Sequence, residues 1–318
     1  MSSQWGEMPV IDAHCDTISV LAGQGRSLGQ LSPAGQLDLP RLRAGGVNVQ
    51  FFALFVNPKF KEELPYRILS QIDLFYRELE LCREDLRLVR CNADLAAVLG
   101  AGQIGALLAV EGGEALGGEL GVLRVLHRLG VRSIILAWNN HNKLGDGVLV
   151  AEPRGLSSFG LEVVREMNRL GMLVDVSHLA EPGFWDVHRH SRKPYIVSHA
   201  NCKTLCRHPR NLDDGQIIAL ASRGGVIGLS FVPQFIHHAD PGLERLLDHV
   251  DHIASLAGAD CIGWGSDFDG MDDPAPGLES PACLPLLANG LKSRGYADKD
   301  IAKIMGGNWY RVLREVLG

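Results

Sequence analysis

The sequence predicts an α/β protein of the (β/α)8 barrel class, carried by a single domain over residues 1–318. Three observations predict it. Short apolar segments recur eight times along the 318 residues, each followed by a turn signal and a helix-length stretch, and strands alternating with helices imply a parallel sheet. Several of these segments are near-continuous in Val, Ile, Leu and small residues, as strands covered on both faces should be. The polar residues among them gather at their C-terminal ends, the face on which barrel sites lie.

In chain order the predicted strands are 8–14 (MPVIDAH), 47–56 (VNVQFFALFV), 104–111 (IGALLAVE) and 131–138 (VRSIILAW). The second half adds 171–178 (GMLVDVSH), 194–199 (PYIVSH), 224–231 (GGVIGLSF) and 261–267 (CIGWGSD). Between them, residues 65–85 place Ile68, Ile72, Phe75, Leu79 and Leu81 at roughly helical spacing with charges in between. Residues 161–171 end in Gly171, a natural C-terminal cap before the next strand. Residues 243–258 and 301–317 continue the helical pattern. A doubly wound fold needs a phosphate-binding glycine turn early in the chain, and the first strand ends in DAHCD instead. The Gly/Pro-rich stretch 269–281 is the predicted mobile loop or lid.

With 46% hydrophobic residues the chain can bury a large core, and its net charge of −6 gives no electrostatic case for nucleic acid or an anionic membrane. The start of the chain lacks a basic region followed by an apolar stretch, and no apolar segment reaches the roughly 20 residues of a membrane span. The last residues, NWYRVLREVLG, read as an amphipathic helix rather than a lipid-anchor signal. Seven scattered cysteines suit reduced thiols in a cytoplasm better than a disulfide framework. Cys202 and Cys206 near His199 and His208 faintly suggest a zinc knot, but no second cysteine pair completes it, and helical core thiols are the favoured reading.

The chemistry collects at the strand ends. Asp12, His14 and Asp16 alternate along the first strand, so all three are predicted to point one way and Cys15 the other. Glu111 ends the third predicted strand, His178 and His199 the fifth and sixth, and Asp267 the eighth. Two of these runs repeat the tripeptide Val-Ser-His, 21 residues apart, as two successive strands each delivering an imidazole to one mouth would. One such residue alone is usually a hydrogen-bonding or capping group. So many acidic and imidazole groups in one buried mouth would repel unless cations joined them. The set is too large for one catalytic ion with an open position, and it suits two zinc ions sharing a carboxylate and activating water, with Asp267 free for proton transfer.

Taken in order, IDAHCDT, LDLPRLRAGGVNVQFFALFV, LLAVEGGEAL, GMLVDVSHL, YIVSHANC, RHPRNLDD, GSDFDG and GGNWYRVL resemble the membrane dipeptidase (renal dipeptidase) family of zinc peptidases, amidohydrolase-like barrels. The resemblance spans essentially the whole chain. It implies two Zn2+ per chain, one on His14 and Asp16, the other on His178 and His199, with Glu111 bridging. It implies that Arg210, rather than its neighbour Arg207, grips the substrate carboxylate, and that Asp267 handles the substrate amino end and the leaving-group proton. Two positions depart from the pattern. Cys15 stands where many members have Asn, on the side of the strand away from the metals. Trp138 stands where the mammalian-like pattern has a substrate-polarising His, so Trp138 is expected to line the pocket and His141, three residues on, becomes a candidate for the polarising role.

The expectation is therefore a cytoplasmic zinc dipeptidase acting on small dipeptides with free termini and accepting a D-residue at the C-terminal position. No nucleic-acid or membrane partner is expected, and a homodimer is left open. The rival readings are another metallohydrolase on the same barrel (an N-acyl-amino-acid deacylase, lactonase or deaminase) and a non-catalytic binding protein that kept the barrel.

Overall fold

The computed structural model describes residues 8–318, apart from the side chains of Lys61 and Glu62. Its strands are β1 (Val10–Asp12), β2 (Val47–Phe55), β3 (Leu86–Leu88), β4 (Ile104–Glu111), β5 (Val131–Ile135), β6 (Leu173–Asp175), β7 (Ile227–Leu229) and β8 (Ile262–Trp264). All their pairings are parallel. They run in the order β6-β5-β4-β2-β1-β8-β7, with β3 joined to β4 outside that path. The protein is thus an α/β fold built on a parallel, half-barrel sheet with helices in the connections.

Two details differ from the sequence expectation. Residues 194–199 form no strand; they make isolated parallel bridges, Asp175 with Ile196 and Val197 with Ile227, between β6 and β7. The ladder stops there because side chains take the next amides: Ser198 N–H donates to Asp175 Oδ1 (3.1 Å) and His199 N–H to Ser177 Oγ (3.2 Å). Conversely, β3 is not among the strands that the sequence predicts. Only Leu86 and Leu88 of its three residues are buried, too short a pattern to stand out directly after a helix.

The helices follow their apolar stripes. Leu64–Leu81 buries Ile68, Ile72 and Phe75 against Phe52 and Leu54 of β2. Leu81 is 74% exposed, against expectation, because the buried row continues through Cys82, about 100° further round the helix. Ser158–Leu170 is capped by Ser157 Oγ, which accepts from Gly160 N–H, and ends at Gly171 (φ 71°), as predicted. The single helix expected over 301–317 is broken by an irregular turn, Lys303–Gly307. Gly306 lies so close to Pro9 and Ile11 beside β1 that a Cβ there would overlap the Pro9 carbonyl oxygen. Beyond the break, Asn308–Leu317 packs Trp309, Val312, Leu313 and Val316 against Ile11, Val49, Phe51, Leu107, Leu173 and Ile196 from the sheet. No helix among the described residues is long and apolar enough to cross a membrane.

The stretch 269–281, predicted as a lid, is anchored. Ala275 and Leu278 are buried, and Gln36 Nε2–H donates to the Met271 carbonyl (2.7 Å).

Candidate metal centre

The strand ends bring His14, Asp16, Glu111, His178, His199 and Asp267 together. His14 Nε2 lies 3.5 Å from Glu111 Oε2, 3.7 Å from Asp16 Oδ2 and 3.7 Å from Asp267 Oδ1. Glu111, the last residue of β4, turns its other oxygen to His178 Nε2 at 2.9 Å. His178 Nε2 and His199 Nε2 are also 2.9 Å apart. Donor atoms of His14, Glu111 and His199, and those of His14, Asp16 and Asp267, form two groups within 4.8 Å.

Asp12 does not join them. Its carboxylate accepts from Ser266 N–H (2.8 Å) and Ser266 Oγ–H (2.6 Å). Regular pairing of β1 ends at Asp12, so alternation no longer governs His14 and Asp16. Cys15 packs into the apolar core, as expected.

The imidazoles are aimed by partners that sequence reasoning missed. Asn139 Oδ1 sits 2.7 Å from His178 Nδ1 and can only accept, so Nδ1 carries the hydrogen and Nε2 is bare. Ser198 Oγ holds His199 Nδ1 at 2.9 Å, and Ser177 Oγ lies 3.2 Å from Ser198 Oγ. Asp175 Oδ1 accepts from the backbone N–H of both serines (3.0 and 3.1 Å). The repeated Val-Ser-His therefore does two jobs: the histidines face the mouth, and the serines tie the two segments to one buried carboxylate. That signal was legible in the repeat. Asn139 carried none.

The electrostatics follow from burial and crowding. Burial, with Arg210 adding to it, drives His178 down to about 3. Burial likewise holds His199 well below the usual histidine range, with His14 and Arg210 adding. With its hydrogen on Nδ1, the neutral His178 ring presents Nε2 as an acceptor 2.9 Å from the Glu111 carboxylate oxygen, and two acceptors at that distance repel unless a cation lies between them. Burial opposes charge on His14, but the carboxylates of Asp16, Glu111 and Asp267 around Nε2 outweigh it and hold its proton well above the usual range. Burial works against ionised Glu111 too, yet protonated His14 beside it keeps its carboxyl below the usual range. Burial pushes the Asp267 carboxyl up to about 7, with Asp16 and Glu111 adding and His14 opposing.

A metal pair fits these residues. His14 Nε2, which faces the cluster, and Asp16 Oδ1 are buried and have no hydrogen-bond partner, which is costly in a protein interior unless something else binds them. Neutral imidazoles with carboxylates form a donor set suited to zinc. His14, Asp16, Glu111, His178 and His199 are the residues that could hold the ions. Ser198→Ala should leave the fold intact and weaken the binding of one ion by about 10–100-fold, the usual effect of losing a partner that orients a metal-bound imidazole. Chelator competition measures this, and an unchanged affinity would free Ser198 from that role.

The cluster opens into a cavity of about 540 Å³ that also takes in Arg210, Trp138, Phe55 and Phe235. Arg210 is buried, donates from Nη2 to the His199 carbonyl (3.1 Å), lies over the Phe235 ring and leaves Nε without a partner. Arg207 is exposed. Trp138 lines the wall, with ring centroids 5.1 Å from Phe55 and 6.2 Å from His178. His141 is elsewhere. Its side chain is 76% exposed, its Nδ1 lies 2.5 Å from Asp146 Oδ1, and it borders a separate surface hollow with Asp146 and Arg154. The polarising role considered for His141 is therefore withdrawn: Asn142, tied to the Leu136 carbonyl, holds the loop with His141 directed outward. The suggested cysteine knot also dissolves. Cys202 contacts His249, Cys206 contacts the Gln234 carbonyl, and all seven cysteines are free.

A family model described as membrane dipeptidase (peptidase family M19) matches residues 4–317. The chain belongs to the membrane dipeptidase family. Membership makes it a dipeptidase of the metallopeptidase kind. Among solved structures of this family, the metallopeptidase dipeptidase AC superposes with a TM-score of 0.90 at 30% identity, covering 98% of this chain and 99% of that one. A metallopeptidase from Rhodobacter sphaeroides, bound to a phosphinate mimic of the dipeptide L-Ala-D-Ala, gives 0.89 at 29% identity, with 97% and 99% covered. The dipeptidase tcpJ of Claviceps purpurea is 36% identical over 297 residues, which cover 89% of this chain and 70% of the relative.

Proposed function

We propose that the protein is a binuclear zinc dipeptidase that hydrolyses dipeptides with free termini. One observation carries the reading: the bare Nε2 of His178 faces the Glu111 carboxylate at 2.9 Å with His199 Nε2 equally near, while His14 Nε2 and Asp16 Oδ1 are buried without partners. His14 and Asp16 would hold one ion, His178 and His199 the other, and Glu111 both. When bound, a zinc pair supplies an activated water at neutral pH and polarises the scissile carbonyl.

The remaining work falls to the chain itself. Arg210, buried and with Nε unsatisfied, holds the substrate's terminal carboxylate through charge-assisted hydrogen bonds. Asp267, across the cavity beside His14, takes a proton and hands it to the departing amine. Phe55 and Trp138 wall the cavity. The parallel bridges at Ile196 and Val197 support a sheet closed as a (β/α)8 barrel, the whole chain serving as one domain. The dipeptide mimic held by the Rhodobacter relative supports acceptance of a D-residue at the C-terminal position.

Substrate ends test the reading. A clamp for a carboxylate and a receiver for an amine fit one peptide bond between them. A tripeptide, a C-terminal amide or an N-acetylated substrate leaves one buried charge unpaired, at about 2–5 kcal/mol. Metal-loaded enzyme should therefore turn over L-Ala-L-Ala and L-Ala-D-Ala, and cleave their blocked or extended forms slower by orders of magnitude. Arg210→Ala should narrow the gap between acid and amide, chiefly by harming the acid. Equal cleavage of amides and tripeptides would hand the protein to the broader metallohydrolase reading.

A further inference from the structure

Asp267 stands on a turn whose shape needs explaining. Asp267 and Asp269 both have left-handed backbone (φ 70° and 66°), which residues with a Cβ seldom adopt and which persists only where the surroundings over-determine it. The turn lies across the end of β1: Asp267 N–H donates to the His14 carbonyl, Asp16 N–H to the Phe268 carbonyl, and Gly270 N–H to the Asp267 carbonyl. Gly270 packs so tightly on the Asp16 and Asp267 carboxylates that a Cβ there would overlap both.

The far side of the turn is held from an unrelated part of the chain. Asp269 is a cavity-lining carboxylate, yet both its oxygens are engaged behind the wall. Oδ2 accepts from Arg26 Nη2 (2.6 Å) and Thr17 Oγ1 (2.7 Å), and Oδ1 accepts from Gln36 N–H (2.7 Å). Asp269 N–H in turn donates to Gln36 Oε1 (2.8 Å). Arg26 and Asp269 form an ion pair with side chains only 3% and 1% exposed. Arg26 lies between helices Thr17–Gln24 and Leu39–Ala44, in a segment without regular structure. It is fixed there by the Leu37 carbonyl (2.6 Å) and by Gly35, which packs on its guanidinium.

We propose that Arg26, acting through Asp269, is a positioning residue for Asp267: it locks the left-handed turn that aims the Asp267 carboxylate at the reacting bond. The assignment rests on Asp267 being the proton carrier. It gives the second Asp of SDFDG a structural role distinct from the first. It also explains a buried arginine 243 residues away in sequence, one that contacts none of the candidate ligands.

A double-mutant cycle in the metal-loaded enzyme tests this. Arg26→Gln should lower kcat about 10–100-fold, the scale of a small misplacement of a reacting group, with KM and metal content within about twofold of wild type. In an Asp267→Asn background, which has no carboxylate left to aim, Arg26→Gln should change kcat by less than about twofold. A merely structural arginine would lower activity by the same factor in both backgrounds, and that result overturns the proposal, as does loss of metal or an unchanged kcat in Arg26→Gln. Should Arg26→Gln not fold, Arg26→Lys carries the same test, with a smaller loss in the wild-type background and none in the Asp267→Asn background. If Asp267→Asn itself keeps wild-type kcat, the proton-carrier reading fails and the clamp with it. If Asp267→Asn is slow and the Arg26 variants are not, the clamp alone fails.

Discussion

Glu111→Gln should strip one or both ions from the protein and abolish nearly all turnover. The substitution keeps the shape of the side chain and replaces one oxygen by an amide nitrogen that donates hydrogen bonds and cannot ligate. Glu111 contacts both halves of the cluster, Oε1 at 2.9 Å from His178 Nε2 and Oε2 at 3.5 Å from His14 Nε2. Asp16 and Asp267 are both paired with His14 and with neither of the other imidazoles. Losing the shared carboxylate should therefore cost more than the roughly 10–100-fold typical of an outer partner. Elemental analysis beside a turnover assay measures it. A Glu111→Gln variant that keeps two tightly held ions and near-normal turnover would refute the bridging role.

Asp267→Asn should keep its metal and lose about 10²–10⁴-fold in kcat, the usual cost of removing a general acid-base group. The geometry makes the test informative, because Asp267 Oδ1 is as close to His14 Nε2 as Asp16 Oδ2 is, 3.7 Å in each case. If the variant loses an ion, Asp267 is a ligand and the division of roles fails. The pH profile adds a second reading. A carboxyl that must be ionised to take a proton gives activity that falls as pH drops through its pKa. Burial places Asp267 at about 7, and bound cations would favour the carboxylate, so the limb should lie below that value in the loaded enzyme. The Asp267→Asn variant should lack it.

The residues legible in the sequence share one property: each announces itself locally. His14, Glu111, His178 and His199 end or closely follow apolar runs, and the direction of a parallel sheet brings all such ends to one side. The helix stripe through Ile68, Ile72 and Phe75 was readable for the same reason, since periodicity is a property of neighbouring residues. Where the local rule lapses, the reading lapsed too. Strand alternation ended at Asp12, whose carboxylate went to Ser266, 254 residues away. The 194–199 segment stopped pairing as a strand where Asp175 and Ser177 took its amides.

Only the tertiary structure decided which partners aim the cluster. Asn139 reaches His178 across 39 residues and Arg26 reaches Asp269 across 243, and nothing in either local sequence marks the residue it will meet. His141 and Trp138 show the same limit from the other side, three positions apart on one loop, one exposed and the other on the cavity wall. Composition and periodicity set which segments become strands and helices, because burying apolar surface rewards a local pattern. The direction of a single polar side chain depends on which donor or acceptor the finished fold places within about 3 Å of it, and that is known only once distant segments have packed.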